Sequence, residues 1–175
     1  MMKRIVFLIT LLVIAFNGYA QQKITISKPT MLTGIVTKAD FKEPPYNVWF
    51  TKNHDHYAPD MSIIKQVKKH LKGITIKAFM GTWCGDSKLE TPRFYKILEE
   101  AGFKEKNLEM ITVDRSKKTS ENLQEGLNII RVPTFIFYKK GKEIGRFVEY
   151  PRETLEKDIL KILSGKPYKH SYENN

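Results

Sequence analysis

Ile74-Thr75-Ile76-Lys77-Ala78-Phe79-Met80-Gly81-Thr82-Trp83-Cys84-Gly85-Asp86-Ser87 decides how this chain is read. Its first seven residues form a short apolar run rich in β-branched side chains, which predicts a buried strand. Gly81-Thr82 breaks the run. From Ser87 to about Ala101, Leu89, Phe94, Ile97 and Leu98 recur at helical spacing, with Pro92 inside as an expected kink and Gly102 as a stop. Cys84, the only cysteine of the chain, therefore stands where a strand yields to a helix. The free N–H groups and positive dipole end of a helix favour a thiolate there, which suits a nucleophile. The Asp86 carboxylate close by opposes that effect. Without a second cysteine, any redox step must pass through a bond to another molecule.

Further along, Leu108 to Asp114 reads as the next strand, and a short helix is expected from about Ser120 to Leu127. Val132-Pro133-Thr134 opens the strongly β-prone run Phe135 to Tyr138. Lys140-Gly141-Lys142 is a turn, and Glu143 to Val148 pairs back as a hairpin. A final amphipathic helix is expected from about Arg152 to Leu163, with Leu155, Ile159, Ile162 and Leu163 on its apolar side.

Taken in order, these residues resemble the thioredoxin superfamily over Ile74 to Leu163, about half of the chain. The resemblance rests on Trp83-Cys84-Gly85, Pro92 eight residues after the cysteine, Val113-Asp114 ending a strand, and Val132-Pro133-Thr134 opening the hairpin. It implies an α/β, thioredoxin-like three-layer fold, with a central mixed sheet flanked by helices. It also implies a cis Val132–Pro133 bond lying beside Cys84. Cys84 and Ser87 become the expected catalytic residues, and Trp83, Gly85, Asp86, Val132 and Pro133 the expected substrate-binding set. The departures are informative too. The family's Cys-x-x-Cys is here Cys84-Gly85-Asp86-Ser87. Its buried Asp in the preceding strand is Ala78, and the Lys partnering that Asp aligns with Met110. The acid–base pair that serves a second cysteine is thus missing along with that cysteine. Ser87 reads both as a helix-start residue satisfying free N–H groups and as a donor to the Cys84 sulfur; the two roles are compatible.

At the N-terminus, Lys3-Arg4, the apolar core Ile5 to Phe16 and the small residues ending at Ala20 read as a secretory signal peptide over residues 1–20. Cleavage before Gln21 leaves no cysteine for a lipid anchor, no stable membrane insertion and, most simply, a bacterial periplasmic destination. A lone cysteine in that compartment flags a reactive thiol or an intermolecular bond. Residues 21–163 are expected to form one domain, with 21–72 as an N-terminal extension supplying an edge strand and the first helix, 73–163 as the core module, and 164–175 as a mobile polar tail. In the extension, Ile24 and Ile26 alternate with polar residues, Leu32 to Val36 suggests a strand, and Glu43 to Tyr46 a loop. Val48-Trp49-Phe50 suggests another strand and Lys52 to Tyr57 an exposed segment. Pro59-Asp60 opens a helix to about Leu71.

The net charge is +11. It is spread through short pairs such as Lys68-Lys69, Lys117-Lys118 and Lys139-Lys140, not gathered into a basic arm, so a solvated basic surface is expected and no nucleic-acid partner. His54-x-His56 is half of a metal site at best; no metal and no cofactor are expected. Two function classes follow. The first is a monothiol protein acting on client proteins or small thiols by mixed disulfide, through isomerisation or thiol capture. The second is a redox-inactive peptide-binding or envelope interaction module with Cys84 incidental.

Overall fold

The computed structural model describes residues 31–173. The expected signal peptide and the Ile24/Ile26 alternation lie outside the described residues. Five strands form one mixed sheet: β1 (Gly34–Val36), β2 (Ile74–Met80), β3 (Leu108–Thr112), β4 (Thr134–Lys139) and β5 (Lys142–Val148). Their spatial order is β1-β3-β2-β4-β5. Only β2 and β3 run parallel; the other neighbours are antiparallel. The α/β thioredoxin-like fold is thus present, and β1 is the edge strand expected of the extension. The β4–β5 turn has Lys140 and Gly141 both at positive φ, the twist that a tight hairpin needs.

Helices α1 (Lys38–Phe41), α2 (Asn47–Asp55), α3 (Met61–His70), α4 (Gly85–Glu100) and α5 (Leu155–Ser164) complete the elements, with a 3₁₀ turn at Glu105–Asn107. Strand periodicity explains the layers. Ile74, Ile76, Ala78 and Met80 of β2 join Phe135, Phe137 and Phe147 on one face, where they meet apolar residues of all five helices. Phe94 of α4 stacks on Phe135 at 4.0 Å, and Phe135 on Phe147 at 5.2 Å. The opposite face, carrying Phe79, Ile111 and Ile136, is covered by Leu123, Leu127 and Ile129.

Several local expectations are corrected. Val48-Trp49-Phe50 is helical, not extended: Phe50 is buried while Val48 is 74% exposed, a helix-like split rather than three residues of a strand. The same helix takes in most of Lys52 to Tyr57. His54 stacks on Phe50 and pairs with Asp55 and Glu99, and the Tyr57 hydroxyl donates to buried Glu156, so the segment is not simply solvated. Ser120 to Leu127 forms turns instead of a helix. Asn122 and Gly126 within it, and Asn128 just after it, adopt positive φ, which interrupts any helical run. α4 begins two residues earlier than expected, with Cys84 as its N-cap, and continues through Pro92. The C-terminal segment is not loose: Tyr168 donates to Asp158 at 3.2 Å, and Ser171 to the Tyr150 carbonyl at 2.6 Å. No helix among the described residues is long and apolar enough to cross a membrane.

Candidate functional site

The turn between β2 and α4 is built around Gly81. Its N–H donates to Ser87 Oγ at 3.1 Å, and its carbonyl accepts from the Cys84 N–H at 2.9 Å. A Cβ on Gly81 would sit 2.6 Å from the Trp83 ring, so only glycine lets the indole lie across the turn. Trp83 is pinned there by its Nε1–H donating to the Val113 carbonyl at 2.9 Å, and the Arg115 guanidinium lies 5.4 Å from the ring centroid. Leu32, from the segment leading into β1, adds a bond from its N–H to Thr82 Oγ1 at 3.2 Å.

Cys84 caps α4 in extended conformation, φ −88° and ψ 132°, and its carbonyl accepts the helical bond from Lys88 N–H at 3.1 Å. The half-buried sulfur lies 3.3 Å from the Val132 carbonyl oxygen and 4.0 Å from Asp86 Oδ2. The Val132–Pro133 bond is cis, as the resemblance implied. Thr134 braces this turn by donating from Oγ1 to the Arg131 carbonyl at 2.7 Å. Trp83, Cys84 and Val132 therefore meet in one place, at the rim of the second core cluster. Gly85 and Asp86 are exposed beside them.

Ser87 is placed differently from both of its expected roles, as donor to the sulfur and as partner of the helix's own free N–H groups. It is fully buried, and its hydroxyl serves the Gly81 N–H; the recorded hydrogen-bond partners of the Cys84 sulfur are Asp86 and Val132. Ala78 and Met110 are direct partners across β2 and β3, both buried. An apolar pair thus occupies the place under the site where an acid and a base would stand.

Other neighbours have no local signature. Glu149 approaches from the end of β5: its N–H donates to the Pro133 carbonyl at 2.7 Å. Burial, then the Asp86 carboxylate, push the Glu149 carboxyl up from its ordinary value, while Arg131 pulls it down. One turn beyond Asp86 on α4, Glu90 is 3% exposed. Arg93 Nη1 donates to its Oε1 at 3.1 Å, while its Oε2 is buried with no hydrogen-bond partner among the described residues. Burial pushes the Glu90 carboxyl up to about 7. Glu149 comes from a distant stretch of the chain, and the burial of Glu90 depends on the packing of α4, so spacing alone could not reveal either. No group of three or more potential metal ligands occurs among the described residues; His56 Nδ1 is engaged with the Lys52 carbonyl.

The comparisons with known proteins agree with this geometry. The thioredoxin-like protein of Acanthamoeba polyphaga mimivirus is 34% identical over 89 residues, covering 51% of this chain and 62% of that protein. Thioredoxin H9 of Arabidopsis thaliana is 30% identical over 94 residues, covering 54% of this chain and 63% of that protein. The chain thus spans a little under two thirds of the length of both relatives. An HIV epitope-scaffold of known structure shares the fold alone, with a TM-score of 0.50 at 15% identity over 69% of this chain and 83% of its own. The thioredoxin family model matches residues 59–161, more than half of the chain, from just before α3 into α5. With Cys84 at the head of its helix and the carbonyl of Val132, the residue before the cis-proline, against its sulfur, the chain belongs to the thioredoxin family.

Proposed function

We propose that this is an exported, monothiol thioredoxin-like protein that acts on protein thiols and disulfides through a mixed disulfide at Cys84. The observation that carries the reading is the half-buried Cys84 sulfur at the N-cap of α4, 3.3 Å from the Val132 carbonyl, in a chain with one cysteine. As a thiolate, Cys84 attacks one sulfur of a client disulfide. The Cys84–client bond forms, the client S–S bond breaks, and the departing client sulfur leaves as a thiolate. Release then needs a second attack, by the client's own freed thiolate or by a small external thiol. Ser87 stands where a resolving cysteine would, and its buried hydroxyl is committed to Gly81. This favours isomerisation or thiol capture over net dithiol reduction. The leader read at residues 1–20 supports export, with the bacterial periplasm as the simplest destination.

Insulin reduction tests the mechanism. The mature protein is expected to turn over poorly. Ser87→Cys is expected to raise turnover, though only partly, because the Ala78–Met110 pair supplies no proton carrier beneath the new thiol. Turnover by the unmodified protein at the rate of a two-cysteine thioredoxin would contradict the proposal.

A further inference from the structure

The C-terminal segment, polar in composition, is built into the rim of the Cys84 site. His170 to Glu173 close a turn on themselves: the Tyr172 N–H donates to His170 Nδ1 at 3.1 Å, and the Glu173 N–H to the His170 carbonyl at 3.0 Å. Ser171 Oγ ties this turn to the Tyr150 carbonyl. The Tyr172 ring consequently meets Tyr150 edge-on, with centroids 6.0 Å apart, and lies 5.2 Å from the Arg131 guanidinium. Its hydroxyl donates to Glu149. Arg131 is the residue before Val132, and Glu149 is bonded to the Pro133 carbonyl. Arg131 and Glu149, which hold this pair of tyrosines, 48% and 36% exposed, thus adjoin the Val132–Pro133 turn whose carbonyl touches the Cys84 sulfur, and the Glu149 carboxyl also feels the Asp86 carboxylate. Arg131 Nε and Glu149 Oε2 lie 4.0 Å apart, so the local charges face each other while the rings face solvent. Partly exposed tyrosines beside an arginine make the composition of a binding hot spot, and an uncharged aromatic lip accepts an apolar side chain better than a charged one.

We propose that Tyr172 and Tyr150 determine specificity by receiving an apolar or aromatic side chain that lies next to the reacting cysteine of an extended polypeptide. This rests on the reading of Cys84 as the nucleophile and narrows its substrate: a polypeptide disulfide with an apolar neighbour to its cysteine, in preference to one without or to a small-molecule disulfide. An extended chain advances ~3.3 Å per residue, so the side chains one and two places from the reacting cysteine are the ones to test against the pair.

Two peptides test this, each with one cysteine carried as a mixed disulfide with 2-mercaptoethanol and differing only in Phe or Gly two places from that cysteine. Cys84 thiolate attacks the peptide sulfur, the Cys84–peptide bond forms, the peptide–hydroxyethyl S–S bond breaks, and 2-mercaptoethanol leaves as a thiolate that takes a proton from water. One disulfide replaces another with no net oxidation. Mass spectrometry times the protein–peptide adduct, and 2-hydroxyethyl disulfide, run alongside, reports whether Cys84 reacts at all. The Phe peptide is expected to add on the order of fivefold faster than the Gly peptide. That ratio is expected to fall to near one in Tyr172→Ala and to persist in Tyr172→Phe, which keeps the ring. A ratio near one in the unmodified protein, an unchanged ratio in Tyr172→Ala, or equal loss in Tyr172→Phe would overturn the assignment. Absence of any adduct with 2-hydroxyethyl disulfide would overturn the reading of Cys84 itself, and this one with it.

Discussion

Asp86 is the residue at which the site departs most from what a thiolate wants. Its carboxylate lies 4.0 Å from the Cys84 sulfur, exposed to solvent, so it opposes the favourable field of the helix start without the force it would have if buried. Asp86→Asn is expected to raise the rate of Cys84 alkylation by iodoacetamide at pH 7 by about fivefold. An unchanged or lower rate would mean the carboxylate does not act on the sulfur. At this scale the motif was legible in part. Trp83, Cys84 and Val132-Pro133 could be read from local pattern, because a strand, a helix start and a proline each leave a local signature. The real duty of Ser87 could not, since it depends on Gly81 folding back over the turn. Nor could Arg131, Glu149 and Tyr172 be linked, being brought together only by the hairpin and the C-terminal turn.

At the scale of elements, α4 poses a physical problem that α2 answers. Pro92 has no N–H to give to the Lys88 carbonyl one turn back, which leaves an orphan acceptor inside a helix. Asn53 of α2 fills it, donating from Nδ2 to the Lys88 carbonyl at 2.8 Å. Asn53→Ala is expected to lower unfolding stability by about 1–2 kcal/mol, measured by urea denaturation, because a part-buried carbonyl loses its partner. A loss near zero would mean that water replaces the amide without cost. This pairing also explains why α2 was misread. Val48-Trp49-Phe50 looks like strand in isolation, and only α4 reveals why the segment must coil: Phe50, Asn53 and His54 have to face it together. The turns at Ser120–Leu127 failed in the opposite sense. A short helix is the expectation there, yet Leu123 and Leu127 cover the sheet from irregular backbone.

For the molecule as a whole, pH dependence of stability centres on Glu90, enclosed with Arg93, Tyr57 and Glu156 where α4 and α5 approach the segment leading into α3. Arg93 lies over the Tyr57 ring at 5.1 Å, and Glu156 accepts from Tyr57 and from the Asp60 N–H. The buried Glu90 carboxyl is pushed up to about 7 from an ordinary value of 4.5, so the folded state holds this proton more tightly than the unfolded chain. Below pH 4.5 both states are protonated and Glu90 has no effect. Between pH 4.5 and 7 its contribution falls as pH rises, and above 7 the full penalty remains. Glu90→Gln is expected to match the parent near pH 4 and to exceed it above pH 7 by on the order of 3 kcal/mol. An equal difference at both pH values would show that the carboxyl is not held protonated by the fold.

The fate of the Cys84 adduct tests the central claim most directly. Mature protein is treated with an excess of a small-molecule disulfide so that all Cys84 reacts, the reagent and the thiol it releases are removed, and peptide mapping by mass spectrometry follows Cys84 over time, first without and then with a small thiol. The expected result is one adduct, at Cys84, that persists until the thiol is added and is then released. An adduct that never forms, or one that resolves with no external thiol present, would contradict a monothiol mechanism at this site.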